Sequence, residues 1–146
     1  MFSKSCEYAI KAAIFIANNS LLDKKVGFVD IAKEIDSPEA FTAKILQKLT
    51  KEGVIQSVRG VYGGFYIPTK LISKVKLAHI VHSIDGDAVF KGCGLGMEKC
   101  NANHPCPLHE KFMSIRNNLR QMLESTNLEE LAFGLKSGET FLKTKS

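Results

Sequence analysis

The chain has 146 residues, 45% of them hydrophobic and 24% charged, so it can bury one hydrophobic core but not two independent ones. This composition is that of an ordinary globular protein and excludes the disordered and fibrous classes. Twenty Lys and Arg against fifteen Asp and Glu give a net charge of +5, which suits an anionic partner without identifying one.

The start of the chain predicts neither a membrane span nor an export signal. The uncharged run from Ala12 to Ala17 is far too short to cross a bilayer. Residues 1–18 also lack the basic segment, the long apolar segment and the cleavage site of a signal peptide. We therefore expect a cytoplasmic protein without membrane association, in which clustered cysteines bind metal or sense redox state rather than form structural disulfides.

Three helices are predicted in the first part of the chain. Residues 4–18 are apolar around most of a helical circumference, which predicts a largely buried helix. The apolar positions of residues 28–35 fall at helical spacing and predict a short second helix. A third is predicted to begin with Ser37 as N-cap and Pro38 in the first helical position, and to end at Gly53.

A β-hairpin is predicted directly after the third helix. The glycine-rich stretch RGVYGG at residues 59–64 separates two β-prone runs, VIQSV and FYIPT. Two short helices followed by a hairpin are typical of a winged helix-turn-helix, whose second helix enters the major groove of DNA while the hairpin, or wing, follows the backbone or minor groove. A small α+β domain with a purely structural hairpin would show the same periodicity.

The residues that this arrangement would bring to DNA lie at the start and on the basic side of the third helix and in the hairpin turn. They are Ser37, Pro38, Ala40, Phe41, Thr42, Lys44, Lys48, Arg59, Gly60, Tyr62, Gly63 and Gly64. We expect Arg59 and the lysines to form charge-assisted contacts with phosphates. Gly63 and Gly64 are expected to resist substitution, because the turn needs backbone angles or close approaches that only glycine allows.

A long helix in the second half of the chain carries an apolar stripe. Its apolar positions alternate spacings of four and three, which average to the coiled-coil period. The positions are Leu108, Phe112, Ile115, Leu119 and Met122. Two heptads are too few for a free-standing coiled coil but suit a seam between two subunits. Further helices are predicted at residues 75–85 and about 128–136.

Three of the four cysteines lie in the segment FKGCGLGMEKCNANHPCPLHEK, residues 90–111, with the spacing Cys93-x6-Cys100-x5-Cys106-x2-His109. Structural zinc sites usually pair their ligands in close knuckles, and only Cys106 with His109 comes near that spacing. An iron-sulfur cluster spreads its iron atoms further, so three thiolates five or six residues apart can reach different corners and leave one for another ligand. The fourth cysteine, Cys6, is expected to be a packing residue.

Two other interpretations of the cysteine segment stay open. A zinc-bound or apo regulator could use the same thiols as a switch. An iron-sulfur or thiol redox enzyme would need a substrate site with an acid and a base, and the sequence has no nucleotide-binding loop, no CxxC pair and no Ser-His-Asp or paired-carboxylate arrangement. We therefore expect that the protein is not an enzyme.

Together these features resemble the Rrf2 family of bacterial transcription regulators. The resemblance rests on the Tyr8-Ala9 pair, the wing SVRGVYGGFYI at residues 57–67, the cysteine loop and the long helix, and it covers about residues 2–135. The family's wing pattern Arg-Gly-x-x-Gly-Gly-Tyr is matched except that Phe65 replaces the Tyr. The first cysteine gap has six residues where five is usual in the family.

The resemblance implies a mainly α fold with a small β-hairpin: a winged helix-turn-helix domain at residues 1–72, and dimerisation helices with a cluster loop (about 90–109) at residues 73–146, in one folding unit. It implies a homodimer that binds a pseudo-palindromic operator in double-stranded DNA, acting as a repressor. A [2Fe-2S] or [4Fe-4S] cluster on the three loop cysteines would sense nitric oxide, redox state or iron-sulfur supply.

Two residues compete for the fourth position on the implied cluster. His109 lies one helical turn beyond Cys106 and matches the histidine that completes the site in some members. Glu7 precedes Tyr8-Ala9, where other members place an acidic ligand that reaches the cluster of the partner subunit. A carboxylate is a hard, readily exchanged ligand for cluster iron and suits a site that opens to a small diatomic signal. We favour Glu7, because a ligand on the first helix would couple the cluster to the DNA-binding domain.

Overall fold

The computed structural model describes residues 1–92, 95, 97 and 101–144. Within this part of the chain it contains eight helices and one two-stranded antiparallel sheet, which confirms the mainly α fold with a small hairpin. In chain order the elements are α1 Lys4–Leu21, α2 Phe28–Glu34, α3 Glu39–Lys51, β1 Gln56–Val58, β2 Gly64–Tyr66, α4 Thr69–Ile72, α5 Leu77–Asp85, α6 Ala88–Lys91, α7 His109–Ser125 and α8 Leu128–Lys136.

Helix α1 lies at the centre of the core. It begins after Ser3, whose hydroxyl accepts a hydrogen bond from the Cys6 backbone N–H at 3.0 Å and so caps the helix. Its fully buried face is built mainly from small side chains: Ala9, Ala12, Ala13, Ile16 and Ala17. Because these side chains are short, α3, α5 and α8 can all pack closely against the same helix.

Helix α3 begins one residue later than predicted, with Pro38 rather than Ser37 in the N-cap position. The Ser37 hydroxyl bonds to the Thr42 hydroxyl and to the Pro38 carbonyl at 3.2 Å instead of accepting from a backbone N–H. The predicted end is confirmed, because the helix stops at Lys51 and Gly53 follows with a left-handed φ of +79°.

The predicted hairpin is confirmed, with Gln56 opposite Tyr66 and Val58 opposite Gly64. Its turn is closed by the Gly63 N–H, which donates to the Gly60 carbonyl at 3.0 Å. In addition to the pairing of β1 with β2, an isolated β-bridge joins the hairpin to the loop after α1.

That bridge fixes the wing to the end of α1. Val26 and Phe65 exchange both backbone hydrogen bonds, at 3.1 and 2.7 Å. One residue beyond β2, the Ile67 N–H donates at 2.9 Å to the buried hydroxyl of Ser20, in the last turn of α1. The wing is therefore fixed to the end of α1 and the following loop by backbone hydrogen bonds and the buried Ser20 hydroxyl, rather than by exposed side chains.

The second half of the chain packs on the first. Helix α7 packs against α5 and α6, and α8 returns to α1. The turn between α7 and α8 is held by backbone bonds at 3.0 Å from Leu77 to Thr126 and from Leu128 to Val75. The buried side chains of both halves form one cluster. Among the described residues no helix is both long enough and apolar enough to cross a membrane.

We predict that Gly63→Ala destabilises the folded protein by about 1–3 kcal/mol, because the added methyl group is overpacked against backbone. That methyl would lie 2.0 Å from the Val58 carbonyl oxygen, so the hairpin turn would have to open. Gly27→Ala is the matched control, since its methyl would meet no atom within 4 Å. Urea unfolding measures both; a Gly63→Ala loss no larger than that of Gly27→Ala would contradict the turn geometry.

Candidate nucleic-acid interface and metal centre

Helix α3 presents a basic outer face. Its buried side is formed by Thr42, Ile45, Leu46 and Leu49, as the helical period requires. The opposite side exposes Ala40, Phe41, Ala43, Lys44, Gln47, Lys48 and Lys51. Three lysines at spacings of four and three residues therefore point away from the core, as the sequence predicted.

Thr42, one of the residues predicted to contact DNA, does not belong to this exposed face. The side chain is fully buried, and its hydroxyl donates to the Pro38 carbonyl at 2.9 Å and bonds to Ser37. Its neighbours in the helical period, Ile45 and Leu49, also face the core. The threonine thus stabilises the first turn of α3 from the core side, and its predicted role in DNA contact stays a prediction.

The starts of α1 and α3 meet through an aromatic contact. The rings of Tyr8 and Phe41 lie edge to face with centroids 6.3 Å apart, and Phe41 keeps 45% of its surface exposed. The ammonium group of Lys4 lies 5.3 Å from the centre of the Tyr8 ring and 3.5 Å from the carboxylate of Glu7. The exposed Glu7 therefore shares the first turns of α1 with the residue that contacts α3.

The tip of the wing projects into solvent. Val61 and Tyr62, the central residues of the turn, are 95% and 93% exposed, and Arg59 beside them is also exposed. Gly60 has a φ of +108° and Gly64 one of +138°, both in the region that favours glycine. The pattern of glycines in the sequence thus corresponds to the backbone that the turn requires.

A groove of about 680 Å³ separates α3 from the wing. One wall is formed by α3 and the other by the hairpin, with Gln47, Thr50, Lys51 and Ser57 as its polar lining. None of Gln47, Thr50 and Ser57 is among the residues predicted from the sequence to contact DNA. The helical spacing of Ala43, Gln47 and Thr50 indicates from the sequence that they share one side of α3. The sequence does not indicate that the wing lies against that side.

Of the predicted cluster ligands, the structure describes Cys106, His109 and Glu7, whereas Cys93 and Cys100 lie outside the described residues. Cys106 is half-buried, and its carbonyl accepts from the His109 N–H at 3.0 Å, so Cys106 lies in the turn that leads into α7, whose first residue is His109. Across the described ranges no three His, Cys, Asp or Glu side chains converge in a metal-binding geometry. The three-cysteine ligand set therefore stays a prediction.

The buried Cys6 confirms its predicted role as a packing residue. Its side chain lies on the buried face of α1 and has no exposed surface. Burial, together with the neighbouring carboxylates of Asp85 and Glu7, raises the pKa of the Cys6 thiol to about 12. The thiolate that binds metal or reacts with oxidants is thus strongly disfavoured at this position.

The apolar stripe of α7 is divided between surface and core. Leu108, Ile115 and Met122, spaced by seven residues, are 43%, 61% and 44% exposed. Phe112 and Leu119, on the neighbouring positions of the heptad, are half-buried. A hollow of about 320 Å³ lies between this face and α6. The helix therefore presents a continuous apolar surface beside the point where the cysteine segment begins.

Comparisons with known proteins agree with this architecture. Residues 2–133 match the Rrf2 family, described as "Iron-dependent Transcriptional regulator". A protein of Aquifex aeolicus named as an HTH-type transcriptional regulator is 32% identical over 134 residues, which cover 90% of both chains. The HTH-type transcriptional regulator IscR of Photorhabdus laumondii is 27% identical over 124 residues, covering 85% of this chain and 74% of its own.

Two solved structures share the fold. CymR, the global cysteine regulator of B. subtilis, superposes with a TM-score of 0.72 at 20% identity, covering 91% of this chain and 96% of its own. T. potens IscR gives a TM-score of 0.72 at 16% identity, covering 96% and 91%. The family match spans nearly the whole chain, and its relatives are named as regulators of transcription. The chain therefore belongs to the Rrf2 family of winged helix-turn-helix proteins and is a DNA-binding transcriptional regulator rather than an enzyme.

Proposed function

We propose that this regulator is a homodimer that holds an iron-sulfur cluster in its cysteine segment and changes its affinity for a pseudo-palindromic operator when the cluster is altered. The observation that carries the proposal is where the two ends of the segment lie. The Gly92 carbonyl accepts a hydrogen bond from Arg116 of α7, and Cys106 lies just before the start of the same helix at His109. Seven residues of helix span roughly 10 Å, so the segment leaves and returns beside one face of α7.

The donor set fits an iron-sulfur cluster. Cys93, Cys100 and Cys106 lie within one short stretch of the sequence between Gly92 and His109, and thiolates are the ligands that such clusters take. Cys6 is withdrawn into the core and cannot compete. When bound, the cluster would supply iron that reacts with nitric oxide or oxidants, or is lost when iron-sulfur supply falls. The name IscR among the relatives and the family's iron-dependent description favour this ligand over zinc.

The fourth ligand is proposed to be Glu7 of the partner subunit, with His109 as the competing candidate. Glu7 is exposed, and the contact made by Tyr8 links its helical turn to Phe41 at the start of α3. Loss of a bond to Glu7 would therefore release the part of α1 on which α3 rests. A change at the cluster would in this way move the DNA-reading helices of the dimer.

On the DNA side, α3 would enter the major groove, while Arg59 and Tyr62 on the wing reach the adjacent minor groove or backbone. The groove between α3 and the wing lies where the intervening DNA strand would pass. Lys51, Ser57 and Thr50 line it and offer donors suited to phosphate oxygens. The exposed lysines of α3, Lys44 and Lys48, would supply further phosphate contacts.

The experiment that tests the cluster is anaerobic purification followed by visible spectroscopy and by iron, sulfide and zinc analysis. We expect a brown protein with charge-transfer absorption and with iron and sulfide in comparable amounts. A colourless protein that contains zinc, or no metal, would instead identify the zinc-bound or apo thiol switch. Nitric oxide, air and iron depletion are then applied separately to learn which one changes operator affinity.

We predict that Glu7→Ala changes both the cluster spectrum and the response of DNA affinity to nitric oxide, because the carboxylate would bind the cluster iron. His109→Ala, made and handled identically, is the matched variant and should keep the wild-type spectrum. The measurements are anaerobic absorption spectra, cluster lifetime and operator binding. If Glu7→Ala behaves like wild type while His109→Ala bleaches, the fourth ligand is the histidine of the same chain.

We predict that Arg59→Ala weakens operator binding and lowers the slope of log K against log salt by about 1, as expected when one phosphate contact is lost. Lys136→Ala is the control, because it removes the same charge from the exposed end of α8. Fluorescence anisotropy with operator DNA at several salt concentrations measures both variants. Equal slopes and affinities for the two would exclude Arg59 from the interface.

We predict that Ile115→Lys weakens dimerisation by about 100-fold or more, because it places an unpaired charge in an apolar seam. Ile115 is 61% exposed within one chain, so the substitution should leave the fold of the subunit intact. Val29→Lys, at a 53% exposed site on α2, is the control. Analytical ultracentrifugation gives the outcome: a dimeric Ile115→Lys variant places the seam elsewhere, and a monomeric wild type refutes the homodimer.

A further inference from the structure

The exposed side chain of Gln47 on α3 has hydrogen-bonding groups available for a partner outside the chain. Within the part of the chain that the structure describes, its amide forms no hydrogen bond. The other two neutral polar side chains of α3 are already bonded. The Thr42 hydroxyl donates to the Pro38 carbonyl at 2.9 Å. The Thr50 hydroxyl donates to the Leu46 carbonyl at 2.7 Å. Gln47 therefore keeps both donors and the acceptor of its amide.

The surroundings of Gln47 leave room for such a partner. Gln47 and Ala43, one turn earlier, both line the groove of about 680 Å³ between α3 and the wing. Ala40 continues the same side of the helix towards its start and is also exposed. A helical side chain lies over the turn that precedes its own α-carbon, so Gln47 extends over two short alanine side chains rather than over bulky ones.

The charges around Gln47 favour nucleic acid as the partner. Lys44, Lys48 and Lys51 are all exposed and lie within about one helical turn of it. Ammonium groups attract and orient phosphates, but phosphate contacts carry no information about base sequence. A glutamine amide does carry such information, because it pairs with the major-groove edge of adenine through its donor and its acceptor at once.

We propose that Gln47 is a specificity-determining residue that reads an adenine in the major groove of each operator half-site. Its amide oxygen would accept from the N6 amino group of the base, and its NH₂ group would donate to N7. Ala43 beside it would lie against the methyl group of a thymine. The inference rests on the proposed function, in which α3 enters the major groove.

The first test selects binding sites from a pool of random DNA duplexes with the full-length wild type, Gln47→Ala and Gln47→Glu. We expect wild type to require an A·T pair at one position of each half-site and Gln47→Ala to accept any base pair there. Gln47→Glu should instead prefer C·G, because a carboxylate accepts from the cytosine amino group. Gln121→Ala, at an exposed position of α7, is the control and should select the wild-type site.

The second test changes the base rather than the protein. The adenine at the selected position is replaced by 7-deazaadenine, which lacks the N7 acceptor but still pairs with thymine. Fluorescence anisotropy then gives the affinity of each protein for both duplexes. We expect wild type to lose about 5-fold in affinity, as for one hydrogen bond, and Gln47→Ala to bind both duplexes equally.

Urea unfolding measures whether each variant folds; if Gln47→Ala does not, the base preference of Gln47→Glu and the loss of wild type on 7-deazaadenine decide. A Gln47→Ala variant that selects the wild-type site with the same stringency overturns the role of Gln47 alone. Equal losses of wild type and Gln47→Ala on 7-deazaadenine do the same. A wild type that selects no common sequence from the pool overturns the proposed operator recognition as well.

Discussion

The close approach of helices to the alanine face of α1 is the constraint on which the rest of the structure depends. Ala9, Ala12, Ala13 and Ala17 are fully buried, and α3, α5 and α8 all lie against the same helix. A larger side chain at any of these positions would push a neighbouring helix outward, because protein interiors tolerate little added volume. Since α3 belongs to the first half of the chain and α8 to the second, this one helix fixes their relative positions.

Both ends of α1 are joined to elements that would contact DNA. At its start, Tyr8 packs on Phe41 of α3, and at its end the Ser20 hydroxyl accepts from the backbone that follows β2. The start is also fixed to the second half of the chain, because the N–H and hydroxyl of Ser3 both donate to the carboxylate of Asp85 at the end of α5. A displacement of α1 would therefore also move α3, the wing and the segment leading to the cysteines.

Backbone groups at the ends of helices in the second half of the chain are satisfied by side-chain hydrogen bonds. The carbonyls of Phe90 and Gly92 accept from arginines of α7, and the side chain of Asn127 forms a capping box with Glu130 at the start of α8. Each interaction satisfies a backbone group that a short helix cannot satisfy itself. The carbonyls just before the cysteine segment are thus satisfied, while the neighbouring outer face of α7, with Ile115 and Met122, stays apolar and exposed.

The sequence by itself determined six of the eight described helices, the hairpin and the family, because these follow from local rules: apolar periodicity, a glycine after α3 and the glycine pattern of the wing. The short helices α4 and α6 were not predicted. It also identified Cys6 as a core residue. Only the tertiary structure decided that Thr42 faces inward, that a groove separates α3 from the wing, and that Arg116 holds Gly92. These depend on where helices come to lie against one another, and contacts such as that of Ser3 with Asp85, 82 residues apart, are set by packing rather than by local preference.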